Sequence, residues 1–244
     1  MKRLAILCCL MLAACMTGEP PADDVGASDE PDDYEVDPAD GKGDGVSATF
    51  NKNMVVSDDL FLNGGNMTVE EIQAFLEDSP YNNRSWMADF QVNGISAAQA
   101  IMNAADSEGI HPLMLLTRMQ VESSIVSKTV RPSQSKIDRA LGCGCPDGSG
   151  CSAQYLGFDK QLVCGAKILR KWYDASLDST GQWQLGLTRK TLDPISVTPA
   201  NHATASLYQY TPWVLVGRGG NWLVWNVTRK YVRHAEAAGY LAAN

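Results

Sequence analysis

Residues 115–128 read LLTRMQVESSIVSK, a stretch whose periodicity decides the fold class and whose single carboxylate raises the question of function. At 100° per residue, Leu115, Met119 and Val126 fall within about 60° of Glu122, and Ile125 flanks it on the other side. Thr117, Gln120 and Ser124 lie opposite. The pattern predicts a core helix over 112–124, opened by Pro112 where a first turn tolerates proline, with Glu122 directed inward and the polar positions toward solvent. A carboxylate on an apolar face needs a partner, hydrogen bonds or a proton. Arg118, one turn earlier, is placed to supply an ordinary i,i+4 ion pair. The alternative is a task in proton transfer.

The neighbouring segments also carry helical signals. Thr68-Val-Glu-Glu71 is a capping-box pattern opening VEEIQAFLEDS, in which Ile72, Phe75 and Leu76 share a face. Ser96 caps AAQAIMNAADSE, which stops at Gly109. Further helices are expected over 160–173, over 201–210 with Asn201 as N-cap, and over 221–238. Strands are confined to short runs such as 54–56 and 195–197, and no internal repeat is evident. The expected fold is mainly α, with short irregular or β segments.

The net charge of −8 is localised. Residues 16–45 hold eleven acids against Lys42, whereas residues 46–244 hold seventeen charges of each sign. A neutral domain argues against a broad electrostatic grip on nucleic acid. The acidic stretch, rich in Asp, Glu, Pro, Gly and Ser, has little to bury and is expected to be a disordered, extended tether over 16–48. Calcium is the sharper alternative there, but no D-x-D-x-D-G loop with a distal Glu occurs.

The first fifteen residues, MKRLAILCCLMLAAC, have a basic start, a short apolar run and small residues before Cys15. The run is too short for a membrane helix of about 20 residues. It resembles the lipobox of bacterial lipoproteins, in which the signal is cut before a cysteine that receives lipid. That implies a signal peptide over 1–15, a lipid anchor at Cys15 and a periplasmic or cell-surface location. An ordinary secretory signal is the alternative.

Cys143, Cys145, Cys151 and Cys164 then remain for the exported domain. In an oxidising compartment four such cysteines read as two disulfides, with three connectivities open. The pairing expected is Cys145 with Cys151 and Cys143 with Cys164. The rival is a tetrahedral zinc site, disfavoured because the spacing lacks paired C-x2-C knuckles. His111, His202 and His234 have no metal-ligand spacing and read as caps or surface residues, and neither H-E-x-x-H nor G-x-S-x-G occurs. No metal or cofactor is expected. Trp183, Trp213, Trp222 and Trp225 offer faces for sugar stacking, with packing as the default.

Four blocks carry a wider resemblance: FLNGGNMTVEEIQAFLE at 61–77, GIHPLMLLTRMQVESS at 109–124, ALGCGCPDGSGCSAQYLGFDKQL at 140–162, and NHATASLYQYTPW at 201–213 followed by GGNWLVW. Over roughly residues 60–231 the chain resembles the lysozyme-like superfamily of peptidoglycan-cleaving enzymes, including the soluble lytic transglycosylases. The resemblance implies a lysozyme-like domain over 96–244, with 49–95 as its N-terminal part, and Glu122 as the catalytic acid. It places Tyr208 and Tyr210 where an aromatic bonds the acid or lines the sugar groove. Asp147 is the candidate second carboxylate, with a turn role as its alternative. Gln154 and Gln161 are candidate saccharide contacts. Where many transglycosylases carry G-L-M-Q after the glutamate, this chain has ALGCGCPD, which leaves hydrolysis and transglycosylation both open. The implied partners are peptidoglycan or a chitin-like polymer of N-acetylhexosamine and, through the lipid, a membrane. The domain is expected to be a monomer. The rival of another class is a catalytically silent peptidoglycan-binding lipoprotein in which Glu122 only pairs with Arg118.

Overall fold

A computed structural model of the protein describes residues 33–36, 43–62, 67–146 and 150–241. Cys15 with the rest of the signal, most of the acidic stretch, and Asp147 lie outside the described residues.

The chain is mainly helical. Among the described residues it forms α1 (Asp58–Phe61), α2 (Val69–Glu77), α3 (Ala97–Glu108), α4 (Pro112–Ser123), α5 (Gln134–Ile137), α6 (Phe158–Leu177), α7 (His202–Tyr210) and α8 (Gly220–Ala237). Two antiparallel hairpins accompany them: β1 (Gln91–Val92) pairs with β2 (Ile95–Ser96), and β3 (Arg189–Lys190) pairs with β4 (Ser196–Val197). Residues 54–56 form no strand. Val55 is instead buried irregular chain whose N–H donates to Thr204 Oγ1 at 3.0 Å. No described helix is long and apolar enough to cross a membrane.

Local chemistry sets the helix ends. Thr68 and Glu71 exchange both bonds of a capping box, Thr68 Oγ1 accepting from Glu71 N and Glu71 Oε2 accepting from Thr68 N. Ser96 Oγ accepts from Gln99 N, and the same helix ends on Gly109 in the left-handed region. His111 caps α4 through Nδ1, which accepts from Leu113 N at 3.1 Å, with Pro112 in the first turn. Asn201 opens α7, its Oδ1 accepting from Thr204 N while Nδ2 donates to Val56 O.

Helix α4 is the centre of the packing. It touches α8, α3 and α6, while α6 also packs on α7 and α3, and α2 packs on α3. Every residue from Pro112 to Gln120 is buried as a result. A helix enclosed on all sides has no solvent face, so Thr117 and Gln120 are inside rather than exposed as the periodicity suggested. Their polar atoms are satisfied there: Thr117 Oγ1 lies 3.4 Å from Thr228 Oγ1, and Gln120 bonds Ser127 and Asp33.

Asp33 belongs to the stretch expected to be a disordered linker, and it departs from that expectation. Asp33 is only 5% exposed, and Gly43 and Val46 bridge to each other across a turn, both buried. Individual side chains there find partners that composition does not reveal.

Candidate active site

Helix α4 leaves the core in its last turn. Ser124 ends it in the left-handed region at φ 49°, its N–H donating to Gln120 O at 2.8 Å. Ser123 Oγ lies 2.8 Å from the carbonyls of both Met119 and Ala140, which ties the helix end to the turn that follows α5. Glu122 therefore sits at the rim, its side chain 29% exposed. It does not point into solid core, because the covering elements stop short of this final turn.

Arg118 is wholly buried beneath it. Its Nη2 donates both to Glu122 Oε1, as an ion pair, and to Thr211 Oγ1 at 3.1 Å. The guanidinium lies over the Tyr210 ring, 4.2 Å from the centroid, while Nε and Nη1 find no acceptor among the described residues. Tyr210 in turn donates its phenol proton to Leu141 O at 2.8 Å. Burial pushes that phenol up to about 12, against the pull of Arg118, so it keeps its proton throughout the neutral range.

The second oxygen of Glu122 faces Gly142. A Cβ at position 142 would come to 3.2 Å from Oε2, and the backbone there has φ +66°. Glycine is thus required both for room beside the carboxylate and for the turn. The segment behind it is held firmly. Gln161, buried in α6, accepts from Leu141 N and Cys143 N through Oε1 and donates to Cys143 O and Tyr155 O through Nε2. The disulfide Cys143–Cys164 joins the segment covalently to α6, and Cys145–Cys151 closes the adjoining loop. All four cysteines are therefore consumed in the pairing expected, which removes the zinc alternative.

A pocket of about 290 Å³ lies along this segment, lined among others by Gly142, Cys143, Trp172, Gln209 and Tyr210, with Glu122 outside its lining. Gly142 and Tyr210 thus belong both to the pocket wall and to the flank of the Arg118–Glu122 pair. Trp172 lines it, with Lys171 Nζ 4.5 Å from its ring centre, and was not singled out from sequence; Gly142 and Thr211 were missed as well. The Gly-Cys-Gly-Cys run carried a signal, since glycines beside cross-linked cysteines mark a close backbone approach.

The remaining candidates fare differently. Tyr208 is fully buried and stacks on Trp183, ring centroids 5.0 Å apart, so it is a core residue and not a substrate contact. Tyr210 lies two positions further along, about 200° around the axis, which places the rings on opposite sides of α7. Burial raises the Tyr208 phenol, and the hydroxyl has no partner among the described residues. Gln161 is spent on the loop and is unavailable to a sugar. Gln154 is exposed on a 3-10 turn, Ala153–Tyr155, and it is Tyr155 that packs inward, where a Cβ on Gly144 would overlap its ring. Asp147 lies outside the described residues. Trp183, Trp222 and Trp225 are buried, and Trp213 is more open. His111 caps α4, His202 meets Ser176 Oγ at 3.0 Å, and His234 packs edge-on against Phe75.

No protein-family model, curated protein or solved structure matches this chain.

Proposed function

We propose that this protein cleaves the glycan strands of peptidoglycan, with Glu122, protonated on Oε2 while Oε1 stays on Arg118, delivering that proton to the glycosidic oxygen of the leaving sugar. The observation that carries the reading is the position of Glu122: a lone acid at the open end of a buried helix, with Oε2 toward a side-chain-free wall shared with an aromatic pocket. Saccharide sites combine such aromatic faces with a carboxyl at the scissile bond. With one assigned acid, the second reactant is the substrate's own hydroxyl, as in a lytic transglycosylase. If Asp147 serves as the second carboxylate, water takes that place and the reaction is hydrolysis. The two disulfides suit an oxidising compartment and support export, with Cys15 as the proposed lipid anchor and the envelope as the location.

One observation favours a second reading, a glycan-binding lipoprotein without activity. Arg118 is buried and needs a counter-charge, which gives Glu122 a structural task that involves no chemistry. The test is digestion of purified sacculi by the wild-type protein and by Glu122→Gln. The proposal expects soluble muropeptides from the wild type and none from the folded variant. Wild-type protein that binds sacculi and releases nothing establishes the second reading. Products with 1,6-anhydro ends identify transglycosylation, reducing ends identify hydrolysis, and release from chitin in place of sacculi moves the substrate to that polymer.

A further inference from the structure

Within the acidic stretch, residues 33–36 pack against the helices. Asp33 Oδ1 accepts from Tyr81 OH at 2.8 Å and pairs with Lys230 Nζ at 2.9 Å, while Oδ2 accepts from Gln120 Nε2 at 2.6 Å. The backbone is held as well. Asn226 Nδ2 donates to the carbonyls of Asp33 and Glu35 at 2.8 and 2.9 Å, and the Tyr34 ring stacks on Trp222. A single four-residue segment thereby engages α4, α8 and the turn carrying Tyr81.

Gln120, Tyr81 and Lys230 are also held by contacts that do not involve Asp33. Gln120 is oriented by Ser127, which donates its N–H to Oε1 at 3.1 Å and accepts from Nε2 through Oγ. Tyr81 meets Tyr231 OH at 3.2 Å, and Lys230 Nζ lies 4.7 Å from the centre of the Tyr81 ring. Burial raises both phenols well above the ordinary tyrosine range, so Tyr81 donates its proton and does not lose it. Donors fixed in advance around a carboxylate are the mark of a binding site, because little ordering remains to oppose occupancy.

We propose that Tyr81, Gln120, Asn226 and Lys230 form a receptor for an acidic peptide, specific for an aspartate followed by an aromatic residue, and that the chain's own Asp33–Val36 fills it in cis. Six residues join Val36 to Gly43. A link that short gives an effective concentration on the order of millimolar, so the native segment excludes a weak competitor. The receptor is independent of any role for Glu122.

The experiment titrates a synthetic peptide of residues 31–36, PDDYEV, into the full chain by calorimetry. Wild-type protein should show no saturable binding. Asp33→Ala, which empties the carboxylate position, should bind the peptide, and adding Lys230→Met should weaken that binding roughly tenfold or more, as loss of a charge-assisted contact does. A peptide with asparagine at the position of Asp33 should fail in every background. Equal binding by wild type and Asp33→Ala, or none by a folded Asp33→Ala, overturns the proposal. Carboxyl labelling of the wild-type protein tests the same point without a variant. Asp33 should react roughly tenfold or more slowly than the exposed Asp59 and Glu70, because opening a site closed by charge-assisted bonds is a rare event. Equal reactivity of the three overturns it.

Discussion

Replacing Glu122 by alanine should destabilise the fold, although the residue lies at the rim. The cause is Arg118. It is fully buried, and without Glu122 its one remaining hydrogen-bond acceptor among the described residues is Thr211 Oγ1, since Nε and Nη1 already have none. Stranding one member of a buried ion pair costs about 3–5 kcal/mol. Water reaches the 29% of the Glu122 side chain that is exposed and replaces part of the lost contact, so the lower value of about 2–3 kcal/mol applies here. In a chain of this size that corresponds to a fall in Tm of roughly 5–10 °C. Arg118→Met should cost less in electrostatic terms, because the carboxylate it leaves behind is already in contact with water. The double variant should recover much of the loss, giving a coupling energy of about 2 kcal/mol. Urea unfolding followed by tryptophan fluorescence, with the disulfides kept oxidised, measures all four corners of the cycle, and an unchanged m-value confirms that native-state stability is what moved. A loss below about 0.5 kcal/mol for Glu122→Ala, or an additive cycle, refutes the reasoning, since independent sites add within that margin.

Two further outcomes follow from the loop and the hairpin. Gly142→Ala should lose about 1–2 kcal/mol from its left-handed backbone and should also displace the Glu122 carboxyl, so it should lose glycan cleavage, while Gly94→Ala, at φ +81° with nothing within 4 Å, should lose stability alone; equal activity of the two variants refutes the steric part. At Asp193, burial would raise the carboxyl, but bonds from the Thr191 hydroxyl and the N–H groups of Leu215 and Val214 outweigh it and hold it below the ordinary aspartate value. A folded value that is lowered contributes stability above the unfolded pKa of about 3.9 and loses it as pH falls through the folded one. Asp193→Asn should therefore cost roughly 1 kcal/mol at neutral pH and less as pH falls below the ordinary aspartate range, as parallel melts at pH 7 and in acid would show.

Legibility in the sequence divided along a physical line. The caps at Thr68, Ser96, Gly109 and Asn201 were readable because each depends on atoms within three or four residues. That the four cysteines form two disulfides was readable from their even number in a narrow window, whereas the choice among three connectivities needed the structure. The orientation of α4 was not, since periodicity assumes one wet face and this helix is covered on every side until Gln120. The same limit separated Tyr208 from Tyr210: both look alike in the sequence, and only the packing of α7 against α6 sends one into the core. Composition misjudged Asp33 for a further reason. An average over thirty residues, eleven of them acidic, describes a solvated chain, and it carries no information about one carboxylate that meets a lysine, a tyrosine and a glutamine.

The wall beside Glu122 is where local and distant effects meet. Residues 141–143 are fixed by Gln161 from α6, by Tyr210 from α7 and by the Cys143–Cys164 bond, while Ser123 ties the preceding turn to α4 through Ala140. Three separate helices thus hold one short backbone segment against the carboxyl. A solvated turn has no need of that restraint, whereas a group that must meet a bound ligand within a fraction of an ångström does. Gln161 illustrates the point, because a residue first taken as a sugar contact uses its amide to keep the wall still. The restraint extends to Arg118, which lies against Tyr210 and bonds Glu122, so the position of the carboxyl depends on the same ring that lines the pocket. Displacement of Tyr210 by a ligand would therefore reach Glu122 through one intervening side chain.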